Sequence, residues 1–494
     1  MDAPHALKLA KANRSTRTIQ AAIYTLVVTA LIYLAFSHWA YDDPFITYRY
    51  AYNLSHGQGL VYNFGQRVQS TTTPLFTMLL AGLSPLWSDL PHLANLIGAF
   101  SLALGAVFLW DLSRTWEAPL VGWAGLLLYP SFSLLVTSLG SETPLYLALG
   151  LGAFALYARE QYTWAGVFSA LTVLTRPDGL LIPLLLAAHY LIRRRAGRPI
   201  PWAAVVVFLS LSAPWFLFAW SYYGSPLPAT LAAKQHQGAM SISQRFAPGL
   251  LSLVRSYAGR WRYWLELALA LVGLVFTVVR ARRWMLLLAW TGLYFAAYTL
   301  LGVSSYYWYY APLVPGWIVL IGLGVQGLKT VFERLIRYAS ARLPLAPASA
   351  LAATLIIILA VLQASGLANL RQHPDTRLAA YRAVGVWLNE HTPPDASVGT
   401  LEVGIIGYYA RRPMVDFAGL LQPRVAGQLS AQTTYADAAR WAVHNYQPDY
   451  LVLQRGYFPE LEKDFVAENC QLATTFPGNL FGFATDLDVY ACPG

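Results

Sequence analysis

The chain has 494 residues, of which 56% are hydrophobic and only 12% are charged, and it contains 17 tryptophans and 31 tyrosines. This composition is too apolar for a soluble protein of that length and indicates a polytopic membrane protein. The formal net charge of +10 does not indicate a nucleic-acid partner, because the lysines and arginines cluster beside apolar segments, as in the positive-inside pattern of membrane proteins.

Twelve apolar stretches follow one another along the first three quarters of the chain. They lie near residues 20–36, 74–87, 93–112, 120–139, 145–157, 164–174, 180–192, 203–222, 264–279, 285–301, 312–327 and 351–368. The first stretch lacks a small-residue cleavage site, so we interpret it as a retained anchor. A helix needs roughly 20 residues to cross the hydrocarbon core, and several stretches are shorter, so we predict about 11 spans.

Basic clusters set the orientation of these segments. They are Lys8, Lys11, Arg14 and Arg17 before the first stretch, residues 193–195, residues 280–283 and the linker 329–343. If these clusters are cytoplasmic, the first loop, 39–73, is outside. Six apolar stretches lie between this loop and residues 193–195, and six full crossings would place residues 193–195 outside as well. One of them therefore does not span. The candidates are 74–87, which is short, and the segment interrupted at Pro130.

The last 125 residues form a different kind of sequence, with mixed charge. Residues 376–390 predict a helix, and the alternating patterns at 397–404 and 449–454 predict strands. We therefore divide the chain into a membrane domain, 1–369, and a small α/β domain, 370–494, that lies outside the cytoplasm.

The two cysteines, Cys470 and Cys492, both lie in this C-terminal part. They fit no metal-ligand spacing. In an oxidising outer compartment they either pair or remain as two free or buried thiols. The sequence leaves both possibilities open.

Ionisable side chains collect at the predicted outer boundary of the membrane segments. They are Asp42, Asp43, Arg49, His56 and Arg67 in the first loop, and then Glu142, Arg176, Asp178 and Lys234. Charges at such a boundary indicate a functional site in a chain this apolar. Each also has a structural explanation. The acid pair marks a helix end and Glu142 favours a helix N-terminus, while Arg176 pairs with Asp178 and Lys234 extends to lipid headgroups.

Acids and bases on one face of a membrane describe a site with a general base and a cationic pocket for phosphate. A carboxylate deprotonates an attacking hydroxyl, while arginine and lysine stabilise a phosphate leaving group. Tyr307 and Trp308, in the aromatic run 306–310, offer faces for a sugar or lipid chain, or belong to an interfacial belt. Asp42 and Asp43 can hold a divalent cation, although two acids are too few ligands to predict one.

Six motifs together resemble the GT-C type of bacterial membrane glycosyltransferase. They are YDDPFITYRYAYNLSHGQGLVYNFGQRVQSTTTPL (41–75), SLGSETPLYLAL (138–149), LTRPDGLL (174–181), YYGSPLPATLAAK (222–234), YYWYYAPLVP (306–315) and EVGIIGYYARRPMVDFAGLL (402–421). The similarity is to the family of the mycobacterial terminal arabinofuranosyltransferases, and more distantly to the protein O-mannosyltransferases and lipid A aminoarabinose transferase. It covers nearly the whole chain.

The resemblance implies an inverting transferase of the bacterial cytoplasmic (inner) membrane with its active site on the outer face. The implied donor is a polyprenyl-phosphate sugar, and in the most similar family that sugar is a pentofuranose. The implied acceptor is a hydroxyl of a glycan, glycolipid or glycoprotein. The acidic base of the family's first outer loop corresponds to Asp42 or Asp43, with Asp42 favoured by its position in the more distant relatives. Gln66 and Gln69 depart from the family pattern, in which acids are frequent there, and leave the identity of the sugar open.

Further residues are predicted to bind the donor phosphate or other parts of the substrates. They are Arg49, Glu142, Arg176, Asp178, Lys234, Tyr307, Trp308 and Glu402. Glu402 and the residues after it are expected to cap the cavity and select the acceptor. The structural alternative is that Glu402 caps the next helix.

Two other classes of function fit the same residues. In a transporter or flippase for lipid-linked sugars, the charges line a path through the membrane. In a non-catalytic scaffold, the C-terminal domain binds polymer and the membrane part is an anchor. The carboxylates cluster on one side instead of near the midplane, and a scaffold leaves the first-loop acids without a task. No glycine-rich nucleotide loop, HExxH or GxSxG sequence is present, so nucleotide chemistry and serine hydrolysis have no support.

Overall fold

A computed structural model describes residues 3–194, 198–339 and 344–492, with side chains from residue 15 onward. Several of the predicted cytoplasmic basic positions lie outside this description, namely the side chains of Lys8, Lys11 and Arg14, together with Arg195 and residues 340–343.

The part of the chain before residue 373 is helical where it is described. The α-helices are α1 (Ala3–Phe36), α2 (Pro44–Ser55), α3 (Pro74–Leu83), α4 (Leu90–Thr115), α5 (Pro119–Leu128), α6 (Ser133–Val136), α7 (Thr143–Ala158), α8 (Tyr162–Thr175), α9 (Leu181–Arg193), α10 (Trp202–Tyr223), α11 (Thr230–Ala239), α12 (Phe246–Tyr257), α13 (Trp261–Val279), α14 (Met285–Leu301), α15 (Val314–Ala339) and α16 (Ala346–Gln372). Short 3-10 helices at Pro177–Leu180, Arg282–Trp284 and Tyr307–Leu313 precede α9, α14 and α15.

Among the described residues, seven helical stretches are long and apolar enough to cross a membrane. They are Ser15–Phe36, Leu90–Thr115, Trp202–Tyr223, Trp261–Val279, Arg282–Leu301, Tyr307–Ala339 and Ala346–His391. Four shorter apolar helices are α3, α5, α7 and α8. The predicted total of about 11 spans includes some of these short helices, so it stays a prediction.

Both segments that were singled out as incomplete spans contain short helices. α3 and α5 have 10 residues each, which is about 15 Å at a rise of 1.5 Å per residue. The hydrocarbon core is about 30 Å thick. Neither helix crosses it alone.

The closest helix contact in the membrane part joins α13 and α15. A Cβ atom on Gly273 would overlap the carbonyl oxygen of Leu320, and one on Gly324 would overlap that of Leu269. Small residues at such a crossing let two backbones approach each other, as is common between membrane helices.

The C-terminal part is a mixed sheet with short helices. The helices are α17 (Arg377–His391), α18 (Ile405–Ala410), α19 (Pro423–Ala426), α20 (Tyr435–Tyr446), α21 (Pro459–Leu461) and α22 (Ala467–Asn469), and the strands are β1 (Val398–Thr400), β2 (Met414–Asp416), β3 (Tyr450–Gln454), β4 (Gln471–Phe476) and β5 (Leu487–Ala491). The strand order is β2-β1-β3-β5-β4. β1 is parallel to β2 and β3, and β5 is antiparallel to β3 and β4. The predicted helix and both predicted strands are confirmed.

A disulfide joins Cys470 and Cys492. The two residues flank paired strands, because Cys470 precedes β4, Cys492 follows β5, and Gln471 lies opposite Ala491 in the ladder. Of the two possibilities that the sequence left open, the structure has the paired one.

The first loop is folded and packs on the C-terminal part. Proline at its first position and an apolar face form α2, in which nine of 12 residues are buried. One hydrophobic cluster contains Phe45 and Tyr48 of α2, Ile405 of α18, and Val398 and Val489 of the sheet. This shared core fixes the sheet against the first loop and the helix ends next to it.

Candidate active site

A cavity of about 370 Å³ lies where the first loop meets the adjoining ends of several helices. Its charged lining residues are Asp43, Glu142, Arg176, Asp178 and Lys234. These side chains are separated by up to 191 residues in sequence, from Asp43 to Lys234, yet the fold brings them to one chamber. Five of the predicted site residues are therefore neighbours.

Asp43 and Lys234 face each other across this cavity. Asp43 directly precedes α2, and its Oδ1 lies 3.6 Å from the Nζ of Lys234 on α11. The Asp43 side chain is 39% exposed, whereas that of Lys234 is 9% exposed. The ammonium lies 4.0 Å from the centre of the Tyr306 ring. Lys234 is therefore held inside the protein and does not extend to lipid headgroups.

Arg176 lies at the centre of a buried ionic network. Its guanidinium donates to Glu142 Oε1 at 2.9 Å, to Asp178 Oδ1 at 3.1 Å and to the Tyr298 hydroxyl at 2.6 Å. The ion pair expected between Arg176 and Asp178 is present and is extended by Glu142. Burial raises the pKa of Glu142, and the charge of Arg176 opposes this shift. Glu142 makes no side-chain capping bond to α7.

The other end of the cavity is apolar and open to the outside of the helix bundle. Leu180, Leu184 and Leu301 line it, and they are 44%, 57% and 39% exposed. Exposed leucines on an apolar bundle face hydrocarbon chains more favourably than water. The cavity therefore joins a charged chamber to a lipid-facing opening.

The aromatic run contributes one predicted residue to the cavity and one outside it. Trp308 lines the cavity, with its ring stacked on Tyr306 at 4.6 Å and near Tyr41 at 5.0 Å. Tyr307 is not a lining residue. It packs on Tyr41 at 5.6 Å, and its hydroxyl donates to the Thr137 carbonyl at 3.4 Å.

The sequence analysis missed a hydroxyl-rich wall of the same cavity. Residues 70–73 and Thr47 line it, and the Thr47 hydroxyl lies 3.3 Å from those of Thr71 and Thr73. The run STTT after QRVQ was a visible signal for this wall. Tyr298 was missed too, because a single tyrosine inside an apolar helix carries no distinguishing pattern.

Asp42 has a different environment from its neighbour. It is partly buried and does not line the cavity; instead its carboxylate accepts backbone N–H bonds from Gly404 at 3.0 Å and Ile405 at 2.7 Å. Burial raises the pKa of Asp42 to about 6, against the lowering effect of these two bonds. The sequence-based preference for Asp42 as the base thus falls on the carboxylate that is engaged elsewhere.

Arg49 and Tyr62 hold the same C-terminal segment as Asp42. Arg49 donates to the carbonyls of Gly407 and Arg412, and the Tyr62 hydroxyl donates to the carbonyl of Val403. We call Asp42, Arg49 and Tyr62 the loop clamp. Arg49 does not line the cavity, so its predicted role in substrate binding has no support from its position.

Glu402 lies beside the loop clamp and also does not line the cavity. Burial and, to a smaller extent, the nearby charge of Asp42 raise the pKa of Glu402 to about 8. The N-cap residue of α18 is Gly404 and not Glu402. The N–H groups of Gly404 and Ile405, where that helix starts, bind Asp42 instead.

His56 and Arg67 also lie away from the cavity. His56 Nδ1 is 2.8 Å from the Tyr52 carbonyl, and the Arg67 guanidinium stacks over the Tyr222 ring at 4.6 Å. Within the described ranges, no three histidine, cysteine, aspartate or glutamate side chains are grouped as metal ligands.

Comparison with known proteins gives one partial match in sequence and a match in fold. A domain of unknown function, DUF8728, matches residues 368–490. Over 272 residues, the chain is 29% identical to the terminal beta-(1->2)-arabinofuranosyltransferase of Mycobacterium tuberculosis, covering 49% of this chain and 42% of that protein. The chain thus spans less than half the length of this curated relative.

Two solved structures match nearly the whole chain. ArnT from Cupriavidus metallidurans bound to undecaprenyl phosphate has a TM-score of 0.60 at 14% identity, over 96% of this chain and 99% of that one. The apo state of the same protein has a TM-score of 0.59 at 16% identity, over 96% and 98%. The motif resemblance is therefore confirmed at the level of fold: the chain is a polytopic helical membrane protein with a small C-terminal sheet, and it shares the fold of ArnT.

Proposed function

We propose that this protein is an inverting glycosyltransferase that moves a sugar from a polyprenyl-phosphate donor to an acceptor hydroxyl on the outer face of the membrane. The observation that carries the proposal is the cavity itself, in which an accessible carboxylate, Asp43, faces the ammonium of Lys234 at 3.6 Å. The same cavity opens through leucines toward the bilayer. A lipid-linked phosphate matches both ends.

Asp43 is the proposed general base. Its side chain is 39% exposed, so an acceptor hydroxyl can reach it. It takes the hydroxyl proton while the acceptor oxygen forms a bond to the anomeric carbon. The bond from that carbon to the phosphate oxygen breaks on the opposite side, and the phosphate leaves with the electron pair. A single displacement of this kind inverts the anomeric configuration.

Lys234 is the proposed ligand of the leaving phosphate. A compact ammonium with a single acidic partner can turn toward a phosphate and stabilise its developing charge. Arg176, by contrast, is fully engaged with Glu142, Asp178 and Tyr298. We assign to Arg176 the task of holding the two acids, whose remaining lone pairs accept bonds from sugar hydroxyls.

The lipid part of the donor enters through the leucine-lined opening. Leu180, Leu184 and Leu301 present apolar surface there, which is favourable for a polyprenyl chain. ArnT, whose fold this chain shares, has been solved with undecaprenyl phosphate, and the curated relative transfers arabinofuranose according to its name. A pentofuranose is accordingly the first donor sugar to test.

The orientation is part of the proposal, as is the division into a membrane domain, 1–369, and an outer domain, 370–494. The disulfide between Cys470 and Cys492 supports an oxidising compartment for the C-terminal part. Because the loop clamp bonds that part to the first loop, the cavity lies on the same side.

Turnover of a donor panel tests the proposal. Purified protein in lipid nanodiscs is incubated with polyprenyl-phosphate arabinofuranose, aminoarabinose, mannose and glucose, and release of polyprenyl phosphate is measured with and without acceptor glycans. We expect release from one donor and a product of inverted configuration. No release from any donor, together with movement of intact donor across the bilayer when the protein is reconstituted in sealed liposomes, would overturn the proposal in favour of a flippase.

A further inference from the structure

A second cavity of about 350 Å³ lies at the junction of the membrane helices and the C-terminal part. One wall comes from the chain after α1 and the start of α4, with His38, Asp89 and His92. The opposite wall comes from α17 and α18, with Arg382, Tyr408 and Tyr409. We call this cavity the junction groove. It shares no lining residue with the cavity around Asp43.

Three polar side chains on the first wall form an ordered chain. Asp89 Oδ2 lies 2.9 Å from His92 Nδ1, and His92 Nε2 lies 3.2 Å from His38 Nδ1. Asp89 orients the His92 ring and His92 in turn orients the His38 ring, so the exposed Asp89 and His38 side chains present polar atoms to the groove.

The opposite wall offers a cation and aromatic faces. The Arg382 guanidinium stacks on the Tyr409 ring at 5.2 Å and is exposed. Across the described part of the chain it forms no ion pair with an acid. Tyr408 and Tyr409 are half-buried, so part of each ring faces the groove.

The mixture of groups identifies the chemistry of a ligand. An anion site gathers cations, but here a carboxylate, Asp89, lies in the groove with Arg382 and the two imidazoles. A hydrocarbon chain needs an apolar lining without charges. Hydroxyl groups of a sugar donate to a carboxylate and an imidazole, accept from a guanidinium, and leave the sugar C–H surface for an aromatic ring.

We propose that the junction groove binds a sugar residue of a glycan chain, away from the site of transfer. The two cavities are linked through the first loop, because Ile405 lines the groove and its N–H binds Asp42, the residue before Asp43 of the transfer cavity. A glycan held there reaches the outer surface beside the transferase cavity. That this glycan is the acceptor rests on the proposed function; the binding itself does not.

Direct binding to an inactive protein tests the groove separately from transfer. The Asp43→Asn protein in zwitterionic nanodiscs is titrated calorimetrically with a linear arabinofuranosyl hexasaccharide and with maltohexaose, without donor. We expect at least one hexasaccharide to bind. Tyr409→Ala and Arg382→Ala should each weaken that binding about tenfold, corresponding to about 1.4 kcal/mol. Tyr446→Ala and Arg424→Ala, which alter exposed residues outside the groove, are the matched controls.

Three results would overturn the proposal. The first is that neither hexasaccharide binds, and the second is that the groove variants leave binding unchanged. The third is that inorganic phosphate, or anionic lipid in the nanodisc, displaces the hexasaccharide, which would assign the groove to a phosphate or a lipid headgroup. Thermal midpoints of each variant identify misfolding, and His38→Gln, which keeps a polar side chain at an exposed position, provides a third groove variant. If the wild-type protein transfers sugar but no hexasaccharide binds, the groove proposal is wrong and the proposed function stands.

Discussion

Two neighbouring residues of the first loop, Asp43 on the cavity side and Asp42 on the clamp side, have carboxylates with different partners. Asp43 faces one ammonium at 3.6 Å across an open cavity, whereas Asp42 accepts two backbone N–H bonds from the C-terminal part. A substrate can compete for a single lysine ammonium, but it does not displace backbone donors fixed by a packed helix. The task of each acid follows from its partner and not from its place in the motif.

The substitutions Asp43→Asn and Asp42→Asn test this difference with the largest expected effect. We expect Asp43→Asn to lower the transfer rate by about a hundredfold to ten-thousandfold, the usual loss for a general base, with the thermal midpoint close to wild type. Asp42→Asn should keep most of the rate and lose stability. Initial rates and thermal unfolding of both proteins give the answer. A dead Asp42→Asn protein of normal stability, beside an active Asp43→Asn protein, would reverse the assignment.

The two cations of the cavity give the second contrast. Arg176→Gln leaves Glu142 and Asp178 without their cation, and loss of one partner of a buried ion pair costs about 3–5 kcal/mol. Lys234→Gln removes the phosphate ligand and should weaken apparent donor affinity about tenfold or more, because bonds to charged groups contribute about 1.5–3 kcal/mol. Acceptor affinity should change little.

Donor titrations and thermal midpoints separate these two roles, with Arg424→Gln as an exposed control. If Arg176→Gln keeps normal stability but loses donor affinity, Arg176 and not only Lys234 binds the donor phosphate. Unchanged donor affinity in Lys234→Gln would remove Lys234 from the site.

The loop clamp gives a third and smaller effect. A Cβ on Gly404 would overlap the Asp42 carboxylate, so Gly404→Ala should disturb both N–H bonds and leave a buried donor unpaired, at about 1–3 kcal/mol. Gly259→Ala is the matched control, because nothing lies within 4 Å of a Cβ there. Limited proteolysis of the C-terminal part and the thermal midpoint report the loss. Equal behaviour of the two alanine variants would show that the clamp adds nothing to the junction.

Local patterns in the sequence predicted the fold class and strands at 397–404 and 449–454, of which the structure has 398–400 and 450–454 as strand, and they singled out five charged residues that share one cavity. Hydropathy and alternation are properties of short windows, so they survive without knowledge of the tertiary fold. The partner of Asp42 is not local, since it lies 362 and 363 residues away and binds through backbone N–H groups that carry no side-chain signal. The partners of Arg49 were not predictable for the same reason, because its acceptors are the carbonyls of Gly407 and Arg412.

The pH dependence of the junction gives the smallest effect. Burial and the charge of Asp42 raise the pKa of Glu402 from 4.5 to about 8, so the folded protein holds this proton more tightly than the unfolded chain. Folding therefore takes up a proton between pH 4.5 and about pH 8, and stability from this group falls as the pH rises through that range. The pKa of Asp42, raised to about 6, acts in the same direction at lower pH.

Glu402→Gln removes the ionising group and should flatten this dependence. We expect the variant to match wild type near pH 5, where Glu402 is protonated in the folded state, and to exceed it in thermal midpoint near pH 9, where wild type carries a buried charge beside Asp42. The exposed Glu468→Gln variant is the control. Midpoints measured in nanodiscs at three pH values decide the matter. Parallel profiles for Glu402→Gln and wild type would mean that Glu402 stays ionised and solvated, and that the clamp side of the first loop holds one buried acid instead of two.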